Sequence, residues 1–424
     1  MLNEKLLSAI WRFKIFSRYP LTTISGKKVE IIHAGELNNN AGPDFLNAKI
    51  KIGDVLWAGN IELHLKTSDF LKHRHQNDKN YQSLILHLVY EHDANLKLPD
   101  ATEIIELKNF VSENTLRQYV DLVNDQQAPA CLNLWNTLDD FIIQNWLERI
   151  AVERLEKKFH QILSYFEKTR DYQETFYRLF CRHLGFKVNN DVFEKLAERL
   201  PLKILLKHTG RLDILEALIY GTAGFLNRRY KDKYLLALQN EFELLKKKYN
   251  IEPMESHWWK FARMRPSNFP SLRLHQLALM LHNLPQMFHD PVLFYSNWKN
   301  TEKLHLLPQG YFANHITFDE DKFVNKSYTF GDTAVQHILI NVAVPYLFFY
   351  GKMTGDEKYS SIALNYLEQI PAENNSVLKK FDIQKKHIIS ALQSQALLEL
   401  YPNYCEQKRC DECNIGVKIL TGKN

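Results

Sequence analysis

Two hydrophobic periods divide this chain. Up to about residue 130 the apolar positions fall mostly in short runs, and several alternate with polar ones, the mark of strands. Val29–Ile32 reads as a strand, and Ala48–Ile52 and Val55–Leu65 as a hairpin across Gly53-Asp54. In the second arm, Trp57, Gly59, Ile61, Leu63 and Leu65 share one side, and Asn60, Glu62, His64 and Lys66 the other. Leu84–Val89 is nearly continuously apolar, as expected of a strand buried on both faces. Ile104–Leu107 is one more candidate strand. Leu6, Leu7, Ile10 and Trp11 give residues 3–14 an amphipathic helix, and Thr67-Ser68-Asp69 can cap a short helix running to His73. The predicted order is helix, three strands, helix, strand.

From about 139 onward the period becomes 3.6. Helices are predicted at 139–166, 171–185, 191–199, 212–223, 232–248, 271–283, 331–350, 356–369 and 385–401. The fold class expected is α+β, a small mixed sheet with flanking helices in residues 1–125, joined through 126–138 to an all-α part at 139–424. The longest uncharged apolar run, Ile338–Tyr350, is about thirteen residues, short for a bilayer and suited to a buried helix.

The polar positions that break this pattern hold the candidate chemistry. Asp44 follows a Gly-Pro turn and opens a strand, and Glu62, His64 and Lys66 alternate on one face of the next. Paired strands would bring the two carboxylates together, as a hard cation such as Mg²⁺ or Mn²⁺ requires. His64 or Lys66 would then position or deprotonate a water. His73, His75 and Asp78, with His87 and His92 farther on, suit a transition metal or the lining of the same cleft.

Charge adds a partner class. Residues 1–130 carry 15 Lys+Arg against 16 Asp+Glu, and the remainder 39 against 33. The excess lies with Arg228, Arg263 and Arg265, interleaved with aromatic residues, an arrangement that contacts phosphates and stacks on bases. Nucleic acid is therefore the expected partner. Five cysteines are too few for a disulfide framework, which points to a reducing, cytoplasmic setting. Three of them, Cys405, Cys410 and Cys413, crowd the C-terminal end, where thiolates hold zinc or an iron–sulfur cluster. The fourth ligand is expected from Cys131, with Cys181 or His387 as alternatives, and zinc is expected ahead of iron–sulfur. No Walker loop, dinucleotide fingerprint or GxSxG elbow is present.

The strand order, with Pro43-Asp44 followed by Glu62-x-His64, resembles the PD-(D/E)XK nuclease superfamily over about 100 residues. That resemblance implies a restriction-endonuclease-like fold and metal-dependent phosphodiester hydrolysis. Asp44 would match the first acid, Glu62 the second and Glu36 an additional upstream acid. His64 stands where the superfamily has Lys, and Lys66 is the nearest lysine on that face. Over a longer span, Gly42-Pro-Asp-Phe45, Gly59-Asn-Ile-Glu-Leu-His64, Arg265-Pro-Ser-Asn-Phe-Pro270 and Cys413-Asn-Ile-Gly416 are similar to an uncharacterised bacterial family, number 2851 among the domains of unknown function.

Overall fold

The computed structural model describes residues 3–421 apart from 39, 74, 76–77, 100–101, 125–128, 320–327 and 382–385. Arg74, the start of the expected linker at 126–128 and residue 385 of the last expected helix therefore lie outside the described residues. The chain separates into two compact units. One comprises residues 1–150, 374–389 and 393–424, and the other 151–373 and 390–392. The α/β part thus gathers the C-terminal segment into its own unit.

In the first unit, α1 (Glu4–Arg12) starts where the Asn3 side chain accepts the Leu6 N–H at 3.0 Å. Its apolar stripe of Leu6, Leu7, Ile10 and Trp11 is fully buried. The Trp11 indole N–H donates to the Ala34 carbonyl at 2.9 Å. Removing roughly 200 Å² of indole from water contributes on the order of 5 kcal/mol. There follow β1 (Leu21–Thr22), β2 (Lys28–His33), β3 (Glu36–Leu37), β4 (Phe45–Ile52), β5 (Val55–Lys66), the short helix α2 (Asp69–Lys72), β6 (Leu84–Glu91), β7 (Glu103–Glu106) and α3 (Glu113–Asn124).

The seven strands form one sheet in the order β1-β2-β4-β5-β6-β7, with β3 on β4. Strands β2, β4 and β5 are an antiparallel meander. Beyond α2 the chain returns as β6, parallel to β5, and β7 continues in parallel. Leu84 to Val89 are all buried, as a two-faced strand demands. Gly59 allows β5 and β6 their approach: a Cβ there would lie 2.6 Å from the Ser83 carbonyl oxygen and 2.4 Å from Ile85 Cγ2. Within the span expected as a linker, residues 132–137 form a 3₁₀ turn, and Cys131, Leu132 and Trp135 are buried.

The C-terminal segment enters this unit along the helix Ala391–Leu400, which widens into a π turn at Tyr401–Cys405 and is followed by a last helix, Asn414–Thr421. Tyr404 packs edge-on against Trp146, and Phe381 lies between Trp135 and Tyr401.

The second unit is helical, with its elements near the predicted spans. Its longest apolar element, Asp332–Thr354, is long and apolar enough to cross a membrane but is mostly buried in the unit. It contains a π segment at Leu339–Ala343, just before Pro345, whose ring removes one backbone donor. Arg273 is buried between the rings of Phe186 and Phe330, with its guanidinium bonded to Gln276 and Asn268. Trp259 belongs to the core and donates to the Ala223 carbonyl, while Trp258 lies under Lys195 and Arg199. Arg228, Arg263 and Arg265 are exposed on this unit.

Candidate active site

The antiparallel pairing of β4 and β5 brings Asp44 and Glu62 together. Phe45 stands opposite Ile61, so the residues flanking that pair are neighbours. Each carboxylate holds the other strand: the Asp44 N–H donates to Glu62 Oε2 at 3.2 Å, and the Leu63 N–H donates to Asp44 Oδ2 at 2.8 Å. Gly42, at φ 110°, lets the chain turn sharply into Pro43-Asp44.

Glu62 and His64, on the polar face of β5, do not face solvent. They are 4% and 1% exposed, His64 against Phe70 of α2 and the rings of His73 and His75, and Glu62 against His75. Burial is the first cause that raises both carboxyl groups above the ordinary carboxylate range. For Glu62 the neighbouring Asp44 is the next. Both also feel Glu4, in the first turn of α1, whose own carboxyl is raised by burial. Three acids therefore interact at this corner, with Glu62 buried, Asp44 half-buried and Glu4 exposed.

Imidazoles stand on the other side of Glu62. His75 Nε2 lies 3.2 Å from Glu62 Oε1, and His64 Nε2 lies 3.6 Å from the same oxygen. His64 Nε2 also faces His73 Nδ1 at 3.1 Å. Ligand nitrogens of His64, His73 and His75 all lie within 4.8 Å of one another. The fourth imidazole, His87, holds the far side of His64 through Nε2···Nδ1 at 2.9 Å. Burial, and then the other imidazoles, push His64 down to about 3 and His87 to about 4. His75 is lowered for the same reasons, and its ring stacks on Tyr81 with centroids 4.2 Å apart. At neutral pH His64, His75 and His87 are thus uncharged, so the contacts of His64 and His75 with Glu62 are not ion pairs. Neutral imidazole is the form that can bind a metal, and a contact such as that of His87 can orient such a ring. The donor set of buried carboxylate oxygens and neutral imidazoles fits a divalent cation.

Beside Asp44 opens a cavity of about 340 Å³, lined among others by Glu4, Lys5, Arg12, Asn38 and Asp411.

The expected site residues divide accordingly. Asp44, Glu62 and His64 converge, and His73, His75 and His87 join them. Lys66 does not: it is exposed at the end of β5, with Nζ 3.9 Å from Glu91 Oε2. Glu36 lies exposed on β3 opposite Leu46. The acid that does reach the pair, Glu4, carried no sequence signal, because a lone acid in a first helical turn is ordinary dipole chemistry.

No curated protein and no solved structure matches the chain. A family model described as "Protein of unknown function (DUF2851)" matches residues 4–376, and the chain belongs to that family.

Proposed function

We propose that this protein is a metal-dependent phosphodiesterase acting on nucleic acid, with its cation held by Asp44, Glu62 and the imidazoles around His64. The observation that carries the reading is the half-buried meeting of Asp44 and Glu62, with three imidazole nitrogens grouped beside Glu62. An antiparallel meander followed by a helix and a strand parallel to its last member also suits a restriction-endonuclease-like sheet.

A bound divalent cation would withdraw charge from a phosphoryl oxygen and acidify a coordinated water. The chain's own residues do the rest. Asp44 and Glu62 fix the strand ends to each other, and so fix the spacing of their free oxygens. His87 orients His64. Because Lys66 is exposed at the end of β5, an imidazole that does not hold the cation would take the proton of the attacking water, and His73 is the exposed member of the group. Lys5 and Arg12, in the cavity beside Asp44, supply positive charge for a phosphate backbone.

The test is hydrolysis of labelled single- and double-stranded DNA and RNA with Mn²⁺. Asp44→Asn and Glu62→Gln should each lower the rate by at least about a hundredfold, as loss of a metal-dependent step does. Hydrolysis that survives both substitutions refutes the reading. The exposed position of Lys66 favours a second reading, a nucleic-acid-binding scaffold on a degenerate nuclease fold. Binding without hydrolysis of any of these substrates would select it.

A further inference from the structure

The second concentration of chemistry in the first unit is the set of thiols at Cys131, Cys405, Cys410 and Cys413. They come from two segments far apart in sequence. Cys131 opens the buried 3₁₀ turn, Cys405 ends the π turn, and Cys413 precedes the last helix. Each of the four sulfurs lies within electrostatic reach of the other three. Cys181, the fifth cysteine, is buried in the helix Tyr172–Leu184 of the second unit. His387, the other alternative, is engaged by the Trp135 ring and lies 3.6 Å from Asp140.

Hydrogen-bond donors reach two of the four sulfurs. The Trp135 indole N–H donates to Cys131 Sγ at 3.4 Å. The backbone N–H groups of Ile415 and Gly416, in the first turn of the last helix, donate to the Cys413 sulfur. Gly416 is required there, since a Cβ would lie 2.1 Å from the Cys410 carbonyl oxygen.

Spacing separates the two metals expected of such a set. Zinc with Zn–S bonds near 2.3 Å places its four sulfurs about 3.8 Å apart, at the corners of one small tetrahedron. Among the described residues, the group with ligand atoms within 4.8 Å of one another is the histidine trio, and the four thiols do not form such a group. They are neighbours, but at a wider spacing than zinc imposes. A cubane cluster gives each thiolate a different iron and so holds the sulfurs farther apart.

We propose that Cys131, Cys405, Cys410 and Cys413 ligate a [4Fe–4S] cluster that ties the C-terminal segment to the turn at residues 131–138. The tie has a structural consequence. Residues 406–412 are held by ligands at both ends and by Cys410 within, and Asp411 and Glu412 from that loop line the cavity beside Asp44. The cluster fixes that wall whether or not the cavity is catalytic. The trio also lies beyond residues 4–376, which the family model matches.

The test is metal and acid-labile sulfide analysis of the full chain purified without oxygen, then again after reconstitution with ferrous iron and sulfide. About four iron and four sulfide per chain are expected, with the brown charge-transfer absorption of iron–sulfur proteins. Cys410→Ser should lose most of both, and Cys181→Ser should keep them. Should Cys410→Ser fail to fold, the wild-type analysis still decides. One zinc per chain without sulfide overturns the cluster in favour of a tetrahedral site. A reconstituted protein that holds neither metal overturns the site altogether.

Discussion

Gly59→Ala tests how closely the candidate site depends on the packing of β5 against β6. The added Cβ would lie 2.6 Å from the Ser83 carbonyl oxygen and 2.4 Å from Ile85 Cγ2. Ordinary contact needs about 3.4 Å or more, so something must retreat by close to 1 Å. Ile85 can turn its methyl group aside. Ser83 cannot, because its clashing atom is a main-chain oxygen that also accepts the Asn60 N–H at 2.9 Å. The strands therefore part at this point and strain that bond. Overpacking of this kind costs about 1–3 kcal/mol. For a unit of this size each kcal/mol corresponds to about 2–4 °C of melting temperature. The consequence reaches the chemistry, because β6 carries His87, whose 2.9 Å contact orients His64 on β5. Denaturant unfolding should show the stability loss, and Mn²⁺ titration of the folded variant should show weaker binding. A Gly59→Ala protein with wild-type stability and Mn²⁺ affinity would refute the argument.

Two further outcomes follow from the second unit. Lys158 is half-buried with its amine end deep, bonded to Asn341 Oδ1 at 3.2 Å and the Ile340 carbonyl, and burial lowers it to about 7. The unfolded chain then holds this proton over a range, from about pH 7 to pH 10.5, in which the folded chain does not, so this group makes stability rise with pH there. Lys158→Met should raise stability most below pH 7, by a few kcal/mol at most, and flatten the rise; an unchanged pH profile in denaturant melts would refute it. Replacing Arg228, Arg263 and Arg265 together by Ala should weaken nucleic-acid binding and reduce its salt dependence by up to about three units of slope, read by fluorescence anisotropy; an unaltered slope removes these residues from the interface.

The strands were readable because alternation and two-faced burial leave their mark on sequence: Val55–Lys66 and Leu84–Glu91 lie within two residues of their expected ends. The two-residue strands β1 and β3 are too short to carry a period. Helix α3 was missed although Ser112 heads it and accepts the Thr115 N–H, a capping signal. At the site, Asp44, Glu62 and His64 were legible from their spacing on adjacent strands. The burial of Glu62 and His64 was not, because it depends on where Phe70 of α2, His73 and His75 pack against β5. Lys66 shares the periodicity of His64 yet lies past that packing, so alternation alone assigned it wrongly to the cleft. Cys131 is expected beside the C-terminal thiols from its position alone, and Phe381, packed between Trp135 and Tyr401, links its turn to the C-terminal segment.

The most direct measurement of the central claim is anomalous diffraction from crystals of the full chain soaked in Mn²⁺. The account predicts one strong peak in contact with Glu62 and with Asp44 or the imidazoles of His64, His73 and His75, and its loss in Glu62→Gln. Crystals saturated with Mn²⁺ that show no peak at Glu62, or a peak that persists in Glu62→Gln, would contradict it.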